Sequence, residues 1–142
     1  MKTVAVLLWE NDLFEQVENA LYDDFPDKAC YVIKELCEWP TGKSNSTSLF
    51  GQAILTHNKM KRKLVISNHR MSAKQYDDTL LHETAHIIAW LIADDSSHGF
   101  FWKYVASSIG AKPVRRSNDE RFNKSVAAHK VSKLKLIARC EN

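Results

Sequence analysis

LLHETAHIIAW, residues 80–90, sets two histidines and a glutamate inside the most apolar stretch of the chain. Around them Leu80, Leu81, Ala85, Ile87, Ile88, Ala89, Trp90, Leu91, Ile92 and Ala93 leave almost no face for solvent. A helix that is apolar nearly all round is a buried one. Two imidazoles and a carboxylate buried without partners would each cost several kcal/mol, so something must compensate them.

His82 and His86 are four residues apart, one turn of helix, and their rings project side by side. Two imidazoles so placed can share a tetrahedral Zn²⁺ at about 2.0–2.1 Å. Glu83 lies beside His82 around the helix, close enough to reach a water at the metal without ligating it. This is the His-Glu-x-x-His pattern, in which the glutamate acts as general base. The alternative is a pair of core histidines hydrogen-bonded to backbone carbonyls. The capped, otherwise apolar helix favours the metal.

Three arrangements could complete the ligand set. A metzincin-type site needs Gly at 89 and His at 92, and the chain has Ala89 and Ile92. A gluzincin-type site needs a later glutamate, and Glu120, the only one in range, sits in a basic polar segment. His98, in DDSSHGFFW, is the third candidate. From His86 the helix runs on for roughly 10 Å. The five residues after it, extended, reach back about 16 Å. A polar turn before a returning helix can therefore deliver His98 to the metal, and geometry selects it.

Outward from this helix, Ser72 and Gln75 stand at capping-box spacing and predict its start, with its end near Ala93. A second helix is predicted from near Gly99, with Phe101, Trp102, Val105 and Ile109 inward and Gly110 and Pro113 as its stop. Upstream, SLFGQAILTH and KRKLVISN predict a strand pair, with His57 to Met60 as the turn. Leu13, Phe14, Val17, Ala20, Leu21 and Phe25 recur at helical spacing, capped by Asn11 or Asp12 and ended by Pro26. ACYVIKEL (29–36) reads as a strand, TGKSNSTS (41–48) as a polar loop, and KLKLIARC (133–140) as a further strand. The order of helices and strands means α+β.

With 142 residues, one domain is the default. The chain is 44% hydrophobic and 26% charged, which places it among ordinary globular proteins. The opening MKTVAVLLW is too short for a signal-peptide core or a membrane span. Cys30, Cys37 and Cys140 make no paired framework, so a cytoplasmic protein with reduced thiols is expected, the first two as core thiols. The net charge of +3 is unevenly spread: residues 103–142 hold ten Lys/Arg against three Asp/Glu. A basic quarter of this kind suits an anionic partner, nucleic acid being the usual one, with Arg115, Arg116, Arg121 and Lys124 as candidate contacts. A solvated basic surface is the alternative. His57 and His69 read as surface histidines, and Trp90 and Trp102 as core aromatics.

The combination HETAHIIAWLIADDSSHGFFWKYVASSIGAKPVRR, with GQAILTHNKMKRKLVISN before it, resembles the SprT-like family over roughly residues 11–116. That family shows His-Glu-x-x-His, a dozen or so residues, then His-Gly-x-x-Phe/Trp and a short helix ending near a Gly and a Pro. The resemblance implies a zincin-like fold over 1–116, with a small sheet packed on the motif helix. It also implies a zinc metallopeptidase in which His82, His86 and His98 hold one Zn²⁺ and Glu83 is catalytic. Relatives include the Spartan proteases, which digest proteins crosslinked to DNA, so DNA-associated protein substrates and a place near the nucleoid are implied. Residues 117–142 form a basic extension resembling the start of the zinc ribbon that many relatives carry. With Cys140 alone, no second zinc site can be built from it. The rival function is a nucleic-acid-binding accessory protein with a zinc site and little or no peptidase activity. A metal-free interaction domain is a third reading.

Overall fold

The computed structural model describes residues 2–69 and 71–113, which form five helices and a three-stranded sheet. In chain order these are α1 (Val4–Glu10), α2 (Phe14–Asp24), α3 (Ala29–Glu38), β1 (Thr41–Ser44), β2 (Gly51–Ile54), β3 (Lys63–Ser67), α4 (Ala73–Ala93) and α5 (Phe100–Ile109). The sheet order is β1-β3-β2, with β1 parallel and β2 antiparallel to the central β3. The class is α+β, as the sequence predicts.

The helix that carries both histidines forms as its signals require. Gln75 N–H donates to Ser72 Oγ at 3.1 Å, and Ser72 N–H donates to Gln75 Oε1 at 2.9 Å. This reciprocal capping box satisfies two donors that would otherwise be orphaned. After 21 residues α4 ends at Asp94, which takes a left-handed φ of 54°; its N–H donates to the Trp90 carbonyl at 2.9 Å and the N–H of Asp95 donates to the Ala89 carbonyl at 3.4 Å. The central stretch from Thr79 to Ala89 is buried except for half-buried His82. It packs against β2 and β3 on one side and against α5 and α3 on others.

α5 returns along α4 with Trp102, Val105, Ala106 and Ile109 buried, the i, i+3, i+4, i+7 face of an amphipathic helix. Phe101 is half-buried against the ring of Phe25 at 6.0 Å, and Tyr104 meets Phe25 edge-on at 5.5 Å, so α2 and α5 interlock. Gly110 caps α5 with φ 90°, and a Cβ there would come within 2.5 Å of Gln16 Nε2. That amide donates to the Ile109 carbonyl at 2.8 Å, closing the helix end from α2.

Several local expectations are corrected. ACYVIKEL is helical: Ala29, Val32 and Leu36 are buried with Ile33 beside them, a 3.6-residue period that overrides the strand preference of Tyr, Val and Ile. The same period turns Cys30 and Cys37, seven apart, to the outer face, so both are exposed rather than core thiols. The first half of TGKSNSTS is β1, an edge strand whose backbone pairs with β3 from Thr41↔Leu64 to Ser44↔Ser67 without needing apolar alternation. The opening apolar run is α1, capped by Thr3 Oγ1 and fixed by Val4 N–H on the Trp39 carbonyl at 2.9 Å. α2 is capped by neither Asn11 nor Asp12; Leu13 occupies the cap and Asp12 takes a left-handed φ of 58°. The strand pair is present but shorter than expected, and a connection over residues 55–62 replaces the four-residue turn. KLKLIARC lies outside the described residues.

Apart from the motif helix, one charged pair is buried among the described residues. Arg62 donates to Glu35 Oε2 at 2.6 Å, with side chains 6% and 12% exposed. The guanidinium also sits 4.5 Å from the centroid of buried Trp39, where the ring face attracts the cation.

Candidate metal centre

α4 presents His82 and His86 from consecutive turns, and the turn after α4 brings His98 to them. That turn is built by Asp95, whose carboxylate accepts from Ser97 N–H at 2.9 Å and Ser97 Oγ at 2.6 Å. Ser97 Oγ in turn accepts from Gly99 N–H at 3.0 Å, which leads directly into α5. The result places His98 Nε2 3.1 Å from His82 Nε2 and 2.9 Å from His86 Nε2.

The ligand atoms of the three histidines all lie within 4.8 Å of one another. Ligands held at 2.0–2.1 Å around a tetrahedral centre would lie about 3.3 Å apart, close to these spacings. A neutral imidazole has one N–H and one lone pair, so three ring nitrogens meeting at a point cannot all satisfy one another. His86 Nδ1 adds to the deficit: it is buried with no hydrogen-bond partner among the described residues. A shared cation resolves the meeting of lone pairs, and the donor set fits one.

The electrostatics point the same way. Burial, reinforced by His98, pushes His82 down to about 4. Burial pushes His86 down to about 3, with His98 and His82 adding to it and Asp95 opposing. Both rings are therefore neutral at physiological pH, the form that binds a metal.

Glu83 is 6% exposed and its Oε1 lies 3.7 Å from His82 Nε2, too far for a hydrogen bond. Burial pushes its carboxyl up to about 7, partly offset by a hydrogen bond from the Ala53 backbone N–H. The bond from Ala53 follows from strand register. Ser67 N–H donates to the Phe50 carbonyl at 2.7 Å, so Phe50, Gln52 and Ile54 face β3 through their backbones. The alternate residues Gly51 and Ala53 turn their backbone groups away from β3, on the open edge of the sheet. Gly51 lies where β2 passes close to α4: a Cβ there would stand 2.7 Å from Thr79 Cγ2 and 3.1 Å from Glu83 Cγ.

A cleft of about 810 Å³ opens between β2 and α4, lined by the three histidines, Glu83, residues 47–53 and Leu55, with Asp78, Thr79, Ser96 and Lys112. Lys112 and Asp78 pair across it at 3.3 Å.

Trp102 has a role that sequence reasoning missed. Its ring, fully buried, lies 5.0 Å from His86 in a stacked geometry, 4.7 Å from His82 and 4.7 Å from His98. It is the common wall behind all three imidazoles. Its position four residues after His98, facing back from a returning helix, was the available signal.

The sequence-predicted residues thus divide. His82, Glu83, His86 and His98 are brought together, and His57 and His69 are exposed and outside the three-histidine group, as expected. Arg115, Arg116, Arg121, Lys124 and the rejected ligand candidate Glu120 lie outside the described residues. Among the described residues no helix is long and apolar enough to cross a membrane.

No curated protein and no solved structure matches the chain. The model of the SprT-like family matches residues 11–130, which span every element from α2 to α5 and the three histidines. On that match, which takes in most of the chain, the protein belongs to the SprT-like family.

Proposed function

We propose that the chain is a zinc-dependent peptidase with a zincin-like active site, in which His82, His86 and His98 hold Zn²⁺ and Glu83 is the general base. The observation that carries this reading is the meeting of three imidazole nitrogens one helical step from a buried carboxyl group. A structural zinc site normally closes on four protein ligands, and this one offers three among the described residues. Bound zinc supplies Lewis-acid polarisation of the scissile carbonyl and eases ionisation of water.

The remaining work falls to the chain's own residues. Glu83 takes the proton of the attacking water and returns it to the leaving amine nitrogen. Its burial favours the protonated form enough to make both transfers accessible near neutrality. The Ala53 N–H fixes the orientation of the carboxylate, tying β2 to the base. An extended peptide can lie along the open edge of β2, using the Gly51 backbone groups and the Ala53 carbonyl while the Ala53 N–H stays on Glu83, which brings its carbonyls past the histidines.

We extend the proposal to DNA-associated protein substrates, with the basic residues of 103–142 as the tether and a cytoplasmic, nucleoid-associated setting. Tethering would raise the effective concentration of protease at DNA-bound proteins. The test is cleavage of unfolded protein substrates by the zinc-loaded chain, with and without DNA, beside Glu83→Gln. Wild type should cleave, DNA should stimulate, and Glu83→Gln should retain zinc while losing activity by about 10²–10⁴-fold. Undiminished cleavage by Glu83→Gln removes the glutamate from the mechanism. Equal rates with and without DNA remove the tether. No cleavage by wild type under any condition returns the accessory-protein reading.

A further inference from the structure

Two large apolar side chains stand exposed at the mouth of the metal cleft. Leu49 is 56% and Phe50 40% exposed, and both line the cleft immediately before β2. They are held outward by a built turn. Ser46 Oγ accepts from the N–H groups of Ser48 at 3.3 Å and Leu49 at 3.0 Å. The Ser46 carbonyl accepts from Ser67 Oγ, which also receives His69 N–H at 3.0 Å. The His69 ring then stacks on Phe50, 13° from parallel with centroids 6.4 Å apart. Exposed apolar groups rimming a cleft mark a binding surface more often than isolated ones do.

The charges of the cleft sharpen what that surface accepts. Among the described residues its acidic and basic side chains are Glu83, beside the histidines, and Asp78 and Lys112, which pair with each other. Among the described residues, the neighbours of Leu49 and Phe50 along the rim are the hydroxyl residues Thr47 and Ser48, the backbone of Gly51 and the stacked His69 ring. Among the described residues no Asp, Glu, Lys or Arg stands beside these two side chains, so a charged group docked there would lose hydration without gaining a fixed counter-charge, whereas an apolar one loses nothing. Continuity with β2 sets the occupant: a strand laid along that edge passes Leu49 and Phe50 as it passes the metal ligands.

We infer that Leu49 and Phe50 form a specificity shelf that selects peptide substrates with a leucine-like or aromatic side chain beside the scissile bond. This rests on the peptidase reading and names its substrate class. Recognition of this kind acts mainly on binding, and one or two apolar contacts typically discriminate by about 10–200-fold.

The experiment uses the zinc-loaded full chain and matched quenched-fluorescence peptides that carry Phe, Leu, Asp or Lys at the position flanking the cleaved bond. Phe and Leu peptides should be cut with kcat/KM at least about tenfold above the Asp and Lys peptides. In the double variant Leu49→Ser, Phe50→Ser that preference should shrink to within about twofold, chiefly through a raised KM for the apolar peptides, with zinc content unchanged. Exposed positions make misfolding of this variant improbable on burial grounds, and its zinc content checks it. Equal rates for apolar and charged peptides in wild type, or an undiminished preference in the double variant, overturn the shelf. A second arm measures binding of the same peptides to zinc-loaded Glu83→Gln by fluorescence anisotropy. If wild type cuts no peptide, the peptidase reading fails on its own. Binding then decides the shelf: about tenfold tighter binding of Phe and Leu peptides, lost with Leu49→Ser and Phe50→Ser, sustains it, and equal binding overturns it.

Discussion

Among the described residues two regions bury ionisable side chains, and they do so in opposite ways. Between α3 and β3, Arg62 and Glu35 meet at 2.6 Å, with the guanidinium lying 4.5 Å from the Trp39 centroid. That region supplies its own counter-charge; among its side-chain polar atoms Arg62 Nε and Trp39 Nε1 are left without a partner. Between α4 and α5, His82, His86 and His98 turn their Nε2 atoms toward one another, and Glu83 stands apart from His82 at 3.7 Å. Here the chain gathers donors that cannot satisfy themselves. A buried charge that meets its counter-charge within the chain is part of the fold, and lone pairs gathered at one point with no donor between them are prepared for a cation.

The largest expected effect tests that deficit directly. His98→Ala removes one of three converging donors and should weaken zinc retention by more than about a hundredfold, beyond what loss of a mere supporting hydrogen bond costs. Glu120→Ala should leave retention unchanged. Metal analysis after dialysis against a weak chelator reads both. Full zinc in His98→Ala, with loss in Glu120→Ala, would reassign the third ligand.

The metal-free protein should show the same difference as a pH dependence. In the fold, His82 and His86 take up protons only near 4 and 3, against an ordinary 6.5. Their contribution to stability is therefore present above about 6.5 and lost as pH falls toward those values. Glu83 runs the other way: raised from 4.5 to about 7, its contribution is present below 4.5 and lost as pH rises through 7. Between pH 4.5 and 6.5 two histidines oppose one carboxyl group, so metal-free stability should rise with pH across that window. Urea midpoints of the chelated protein measure the slope, and His82→Gln with His86→Gln should reverse it, because only the falling contribution of Glu83 remains. An unchanged slope in the double variant would move the acid sensitivity elsewhere.

How much of this was legible beforehand depends on how local the signal was. The motif helix, its capping box and its end at Ala93 are written in contacts three or four residues apart, and they formed as predicted. His98 could be assigned from chain reach because only a short turn separates it from α4. The strand reading of ACYVIKEL failed because Tyr31, Val32 and Ile33 carry strand preference while the burial period, set by packing on α1 and α2, is helical. β1 was unreadable for a different reason: Thr, Gly, Lys and Ser become a strand only through pairing with β3, some twenty residues away. The Arg62–Glu35 pair spans 27 residues and the Ala53–Glu83 bond joins a strand to a helix. Contacts of that range leave no periodic trace.

At the charge-paired region, breaking the pair should cost stability and nothing else. Glu35→Ala leaves a buried guanidinium uncompensated, a loss of about 3–5 kcal/mol. Glu35→Leu combined with Arg62→Met should recover most of it, since an apolar pair of similar volume needs no counter-charge. Zinc content should stay at one per chain in both. A loss of zinc alongside stability would mean the two regions are coupled through α4.

The finest test exchanges matched residues between the two regions. Trp39 and Trp102 are both fully buried, and each has an indole Nε1 with no hydrogen-bond partner among the described residues. Replacing either by Phe removes similar volume and should cost a similar 1–3 kcal/mol, roughly, in packing. Their neighbours differ. Trp39 faces Arg62 at 4.5 Å and Trp90 at 6.0 Å, so Trp39→Phe should leave the metal untouched. Trp102 backs all three imidazoles at 4.7–5.0 Å, so Trp102→Phe frees the rings to rotate away from their common point. Support of that kind is typically worth about 10–100-fold in metal affinity, and the smaller aromatic should keep part of it, giving about a tenfold loss. Competition with a chromophoric zinc chelator measures the affinity, and urea unfolding of the metal-free forms measures the packing. Equal zinc affinity in the two variants would reduce Trp102 to a core residue that happens to lie behind the site. A tenfold gap at equal stability would separate holding the fold from holding the ligands.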